Sequence, residues 1–218
     1  MVRRRFDEQL ALLNKELLEM GSLCEEIILL AVTALLRGDD SMARKVAPLE
    51  QEINRKETDI EGLCLRLLLH QQPVAKDLRQ VSSALKMITD MERIGDQASD
   101  IAELIVYLKG CEANDMEEIS DMANAVVAMV TDSVDAFITR DIVMVEKVLT
   151  EDDLVDDLFA KVKRSLIALI AEHPEKGEYA MDLLMVAKYL ERIGDHAENL
   201  AEWVEFSITG THRGGEEL

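Results

Sequence analysis

Proline is nearly absent from the chain: Pro48, Pro73 and Pro174 are the three in 218 residues. Long uninterrupted helices are therefore permitted. Aromatic residues make up only 4%, which speaks against sheets, whose strands favour aromatic and β-branched side chains. The three cysteines, Cys24, Cys64 and Cys111, form no C-x-x-C pair. An odd, unpatterned set excludes a fully paired disulfide framework and fits buried thiols in a reducing cytosol. Positive charge is also scarce: 24 Lys and Arg stand against 44 Asp and Glu, a net charge of −20. Such a surface repels nucleic-acid phosphates and anionic lipid, so neither is expected as a direct partner. No long apolar run exists either. The stretch Ile27 to Leu36 falls short of the roughly 20 residues a membrane span needs. The basic start, MVRRRFDEQL, leads into an amphipathic helix rather than a secretory apolar core. The expectation is a cytoplasmic protein that does not insert in a membrane.

What the chain does have is Leu, Ala, Glu and Met, the composition of long helices. It also repeats itself. Met20 aligns with Met122, Gly38-Asp39 with Arg140-Asp141, Val46 with Val148, Glu50 with Asp152 and Asn54 with Asp156, all at a shift of 102 positions. Farther on the shift is 99, so that Glu92-Arg93-Ile94-Gly95-Asp96 aligns with Glu191-Arg192-Ile193-Gly194-Asp195. A period of half the chain is too long for a solenoid and reads as two copies of one small unit. Each copy parses into three helices. The first spans about 6–37 and is closed by Gly38. The second starts at Asp39 or Asp40 as N-cap and ends near Gln71. The third opens at Pro73 and stops at Gly110. In the second copy the helices span about 118–140, opened by an Asp115-x-x-Glu118 capping box, then 141–173 and 178–208. The tail TGTHRGGEEL is expected to fray. The fold class is all-α: two tandem three-helix bundles, residues 1–110 and 111–218, related by an internal pseudo-twofold repeat. An apolar flank left by such bundles suits a homodimer.

Both E-R-I-G-D stretches carry a row of acids around a mid-helix glycine. On the last helix, Leu190, Ile193, Ala197, Leu200 and Val204 share one side, and Glu191, Asp195, Glu198 and Glu202 share the other. Like charges four apart repel by a few tenths of a kcal/mol, and the glycine costs about 1 kcal/mol against alanine. A solvated acidic face is the plainer reading of such a row. Against it, the glycine recurs in both copies, which suits close approach of a helix or ligand. The preceding helix adds Glu50 with Asn54 in one copy and Asp152 with Asp156 in the other. Clustered oxygen donors on two adjacent helices can hold Fe, Mn, Mg, Zn or Ca. The first copy carries Glu92, Asp96 and Asp100; the second adds Asn199 to Glu191, Asp195, Glu198 and Glu202. The Glu-x-x-His pattern of di-iron bundles is missing, because Ile193 precedes His196 by three. His196 is expected in a surface or inter-helix hydrogen bond instead.

The doubled E-R-I-G-D, the run QQPVAKDLR at 71–79 and the opening FDEQLALLNKELLEMG together resemble the PhoU family of phosphate-specific transport accessory proteins, over nearly the whole chain. The resemblance implies two three-helix bundles, often dimeric. It implies iron or zinc bound on an outer face through acidic motifs, which map here to Glu50 and Asn54, Glu92 and Asp96, Asp152 and Asp156, and Glu191 and Asp195. It further implies negative regulation of phosphate uptake and of the phosphate-starvation response, through the phosphate transporter's ATPase subunit and a sensor histidine kinase, without enzymatic activity. Gln97, Ser99 and Asp100 stand where the second copy has His196, Glu198 and Asn199, so the two sites are not expected to be equal. A structural or metal-storing helical protein, or a metal-dependent phosphoesterase, are the rival readings.

Overall fold

The structure is a computed structural model, and it describes residues 2–70, 74–105, 107–108 and 117–212. Helices α1 (Val2–Arg37), α2 (Asp40–Ala43), α3 (Val46–His70) and α4 (Ala75–Leu104) form the first half; α5 (Glu117–Thr139), α6 (Ile142–Glu172) and α7 (Gly177–Thr209) form the second. The expected start at Pro73, the Asp115 capping box and the boundary near Gly110 lie outside the described residues.

Local chemistry sets the helix ends, and it does so twice. Asp39 caps α2 by accepting from the Ser41 and Met42 amides at 2.8 and 3.1 Å. Asp141, its counterpart, accepts from the Val143 amide at 2.9 Å and caps α6. The preceding residue turns left-handed in both halves: Gly38 and Arg140 each have φ 58°. Glycine adopts this freely, whereas a side chain makes it costly. The Arg140 guanidinium offsets part of that cost by donating to the Ser207 carbonyl at 3.1 Å, near the C-terminus of α7, where positive charge is favoured.

The single second helix expected in the first half is broken at Arg44 and Lys45. Pro48 is the reason: it has no amide to donate to the Arg44 carbonyl, and its ring crowds that carbonyl. Thr150 stands at the equivalent place, and α6 runs through it without a break. α6 stops just before Pro174, and a short 3-10 turn, Pro174–Lys176, leads directly into α7 at Gly177. The tail is not frayed at its start, because the His212 ring lies against Trp203 and Phe206, with centroids 4.4 and 5.2 Å away.

Each half is a three-helix bundle, and the bundles join like to like: α1 packs on α5, and α4 on α7. One apolar core runs through both halves. Leu190, Ile193, Leu200 and Val204 are fully buried in it. Where α1 meets α5, a Cβ on Gly21 would lie 3.2 Å from Val134. α5 is apolar and long enough to cross a membrane by composition alone, but half of that stretch is buried inside the protein. Cys24 is fully buried and donates to the Met91 carbonyl at 3.4 Å. Burial pushes the Cys64 thiol up to about 12 and raises that of Cys24 too, which disfavours the reactive thiolate form of both.

Candidate metal-binding face

The recurring glycines lie where the second and third helices of each half approach one another. A Cβ on Gly95 would sit 3.1 Å from Ile53 Cδ1, and one on Gly194 would sit 3.2 Å from Val155 Cγ1. Ile53 and Val155 are themselves equivalent under the 102-residue shift. The glycine therefore serves helix approach, the first of the two reasons its recurrence suggested. In the second half this approach also brings Asp152 Oδ1 within 3.5 Å of the same point, so close packing is what places α6 carboxylates beside those of α7.

In the second half the acids converge on Asp152. Burial pushes its carboxyl up to about 6, and the charges of Glu198, Asp156, Asp195 and Asp153 push it the same way. Asp195 and Asp156 are exposed, whereas Glu198 and Asp152 are half-buried. Glu191 is drawn off to Lys188, with which it forms an ion pair; the Lys188 ammonium also lies over the Phe159 ring, 5.4 Å from its centroid. Asn199 points to the other half and donates to Asp90 Oδ1 at 3.4 Å. Of the two roles expected for His196, the inter-helix one holds: it pairs across the α4–α7 seam with Asp90 at 3.0 Å. Glu202 is half-buried on α7.

In the first half the acids are spread more widely. Burial raises the Glu92 carboxyl, and Asp96, Glu57 and Glu50 add to the rise against the opposing charge of Arg93. Asn54 donates to Glu50 at 2.6 Å, while its buried Oδ1 has no hydrogen-bond partner. Asp100 is raised by burial, then by Glu103 and Asp96, against Arg192 of the other half. The pattern of the sequence did not single out Glu57. Burial, Glu61 and Asp96 raise its carboxyl, against a lowering contribution from the Thr89 hydroxyl. Thr89 and Glu57 correspond to Lys188 and Phe159, so the same corner is acidic in one half and cationic in the other.

Two lysines of the α3 and α6 helices are committed elsewhere. Lys56 ties α3 to Glu16 and Glu19 of α1, and Lys161 ties α6 to Glu118 of α5 at 3.3 Å. Among the described residues no three His, Cys, Asp or Glu side chains lie close enough together, as placed, to hold one ion. The donor chemistry nevertheless suits a hard cation: carboxylates held against their charge, and an amide oxygen, Asn54 Oδ1, buried without a partner.

Comparison with known proteins places this arrangement. The family model for the PhoU domain matches residues 17–105 and again 119–204. A phosphate-specific transport system accessory protein PhoU homolog from Clostridium acetobutylicum is 38% identical over 212 residues, covering 96% of this chain and 97% of its own length. The homolog from Pseudomonas aeruginosa is 34% identical, with 96% and 88% covered. The crystal structure of PhoU from Pseudomonas aeruginosa superposes with a TM-score of 0.89 at 34% identity, over 94% of this chain and 100% of that one. The phosphate transport system regulatory protein PhoU from Streptococcus pneumoniae superposes at 0.87 and 28% identity, over 95% and 98%.

Proposed function

The chain belongs to the PhoU family, and from that premise we propose that it is a regulatory accessory protein of a phosphate transport system. In this reading it is a cytoplasmic adaptor, a homodimer that restrains phosphate uptake and the starvation response by contacting the transporter's ATPase subunit and a sensor histidine kinase. The observation that carries it is the doubled domain match together with relatives, named as transport accessory proteins, that align over nearly their whole length. The acidic face is read as its metal site, for iron or zinc first and for Mn, Mg or Ca by the same donor chemistry. Asp152, Asp156, Asp195 and Glu198 would hold a cation in the second half; Glu50, Asn54, Glu92 and Asp96, with Glu57 beside them, would do so in the first. A bound cation would supply the positive charge that these carboxylates lack. Asp152 and Asp156 sit on α6, and Asp195 and Glu198 on α7, so the ligands' own role is to tie these two helices together.

Two measurements test the proposal. Elemental analysis of protein purified without added metal should find iron or zinc. Capture by the transporter ATPase subunit at high phosphate should depend on the chain and be weakened by removing the metal. Metal without any capture would favour a metal-storing role, and turnover of phosphoesters would favour the enzyme.

A further inference from the structure

The two halves differ at the start of the second helix of each bundle. Ala43, Ala47 and Ser99 stand where the second half has Val145, Leu149 and Glu198. Val145 is fully buried and Leu149 packs on the core. In the first half, the smaller side chains and the break before Pro48 accompany a cleft of about 240 Å³ between α2, the start of α3 and the end of α4. Ala43, Val46, Ala47 and Ala102 give it an apolar lining, and Asp40, Arg44, Ser99 and Glu103 complete the wall. Val145 has two carbons more than Ala43 and Leu149 three more than Ala47, which leaves room for a branched aliphatic side chain. The surroundings are acidic: Glu103 at the edge, Asp100 and Asp96 on the turns of α4 before it, and a net charge of −20 on the whole chain. Complementarity therefore selects a basic occupant.

We propose that this cleft docks a segment of another protein that inserts one Leu, Ile or Val side chain between Ala43, Ala47 and Ala102 and sets Lys or Arg beside Glu103. The proposal rests on the reading of the chain as an adaptor and adds where one contact is made and by what chemistry. An aliphatic anchor in a preformed apolar hole with charged surroundings is a common way for a small contact to carry most of an interaction. The second half presents Val145 and Leu149 at the same place, so the two halves are not interchangeable as docking surfaces.

The test uses the full chain with labelled alanine methyls, and as probe a short synthetic peptide of Lys, Gln and Ala with one central Leu. Saturable shifts at Ala43, Ala47 and Ala102 are expected. Replacing the peptide's Leu by Ala should weaken binding about tenfold, as loss of a buried aliphatic anchor does. Replacing its Lys by Glu should weaken it further. The variant A43V/A47L, which imports the residues of the second half, should keep or raise the melting temperature and lose the peptide. Glu103→Lys, which leaves the lining intact, should weaken the Lys peptide and favour the Glu peptide. Binding that is absent, equal for the Leu and Ala peptides, or unchanged in both variants overturns the proposal. So do shifts at these methyls that follow protein concentration alone, since a second copy is then the occupant. The adaptor reading fails separately, if deleting the chain leaves phosphate uptake unaltered; the cleft is judged by the peptide alone.

Discussion

In the second half, four carboxylates crowd round Asp152, and the corner beside them is closed by Lys188 and Phe159. In the first half, the acids extend from Glu50 and Glu57 through Glu92 and Asp96 to Asp100, with Thr89 in the place of that lysine. The backbone frames are alike, down to the left-handed turn at Gly38 and Arg140 and the glycine pressed against Ile53 or Val155. The lesson is that the repeat preserves packing and lets charge diverge. Close-packed helix crossings tolerate little change in volume, whereas exposed carboxylates contribute little to stability and are free to vary.

The largest effects should come from the shared frame. Gly95→Val and Gly194→Val each drive a branched side chain into a contact already at 3.1–3.2 Å. Overpacking of this kind costs about 2–3 kcal/mol, a fall of about 5–10 °C for a chain of this size, measured by thermal melts. The two alanine variants sharpen the comparison. Ile53 offers a flexible terminal carbon to Gly95, while Val155 has a single favoured rotamer in a helix, so Gly95→Ala should be the better tolerated.

Next in size is the charge difference. Asp152→Ala with Asp195→Ala should abolish metal bound in the second half, while the apo melting temperature holds or rises as repulsion is relieved. Stabilisation by added Fe or Zn, which follows mass action, should shrink by the share of that half. Glu92→Ala with Asp96→Ala tests the first half in the same way. Equal metal content in both double variants and the wild type would show that both rows are only solvated faces.

The pH dependence separates the halves more gently. The Asp152 carboxyl is raised to about 6 in the folded chain from the ordinary aspartate value of 3.8, so the folded state binds a proton there that the unfolded chain does not. Stability then falls as pH rises through the window from about 4 to 6, and the apo protein should melt higher at pH 5 than at pH 7. Glu57, Glu92 and Asp100, also raised, act in the same direction. Bound metal should reverse the trend, because protons compete for its ligands. Asp152→Asn should flatten the apo profile more than Glu92→Gln does.

The smallest effect is expected at the paired left-handed turn. Gly38→Ala should cost about 1 kcal/mol, the penalty of a side chain at φ 58°. Arg140→Gly relieves that same strain but loses the bond to the Ser207 carbonyl, worth about 1 kcal/mol, so its net effect should be near zero. Denaturant melts of the two variants side by side measure the difference.

Helical periodicity, the cap at Asp39 with the stop at Gly38, the repeat and the acidic rows were all legible in the chain, because each is a local property of spacing. Asp39, Gly38 and the E-R-I-G-D stretches needed no knowledge of their neighbours, and the buried face of α7 followed from its period; the cap at Asp141 came with the structure. That His196 faces away from the acidic row was legible too, since it points about 100° away from Asp195; that it reaches Asp90 on another helix was not. Periodicity names a face, however, and not the side chain that reaches it from the next helix. Only the tertiary structure decided that Glu57 joins the acids of the first half and that Asn199 turns to Asp90. It also decided that Pro48, in line with its small alanine neighbours, comes with a cleft where the second half is filled. Each of those outcomes depends on distances between segments far apart in sequence, set by how closely Gly95 and Gly194 let their helices approach.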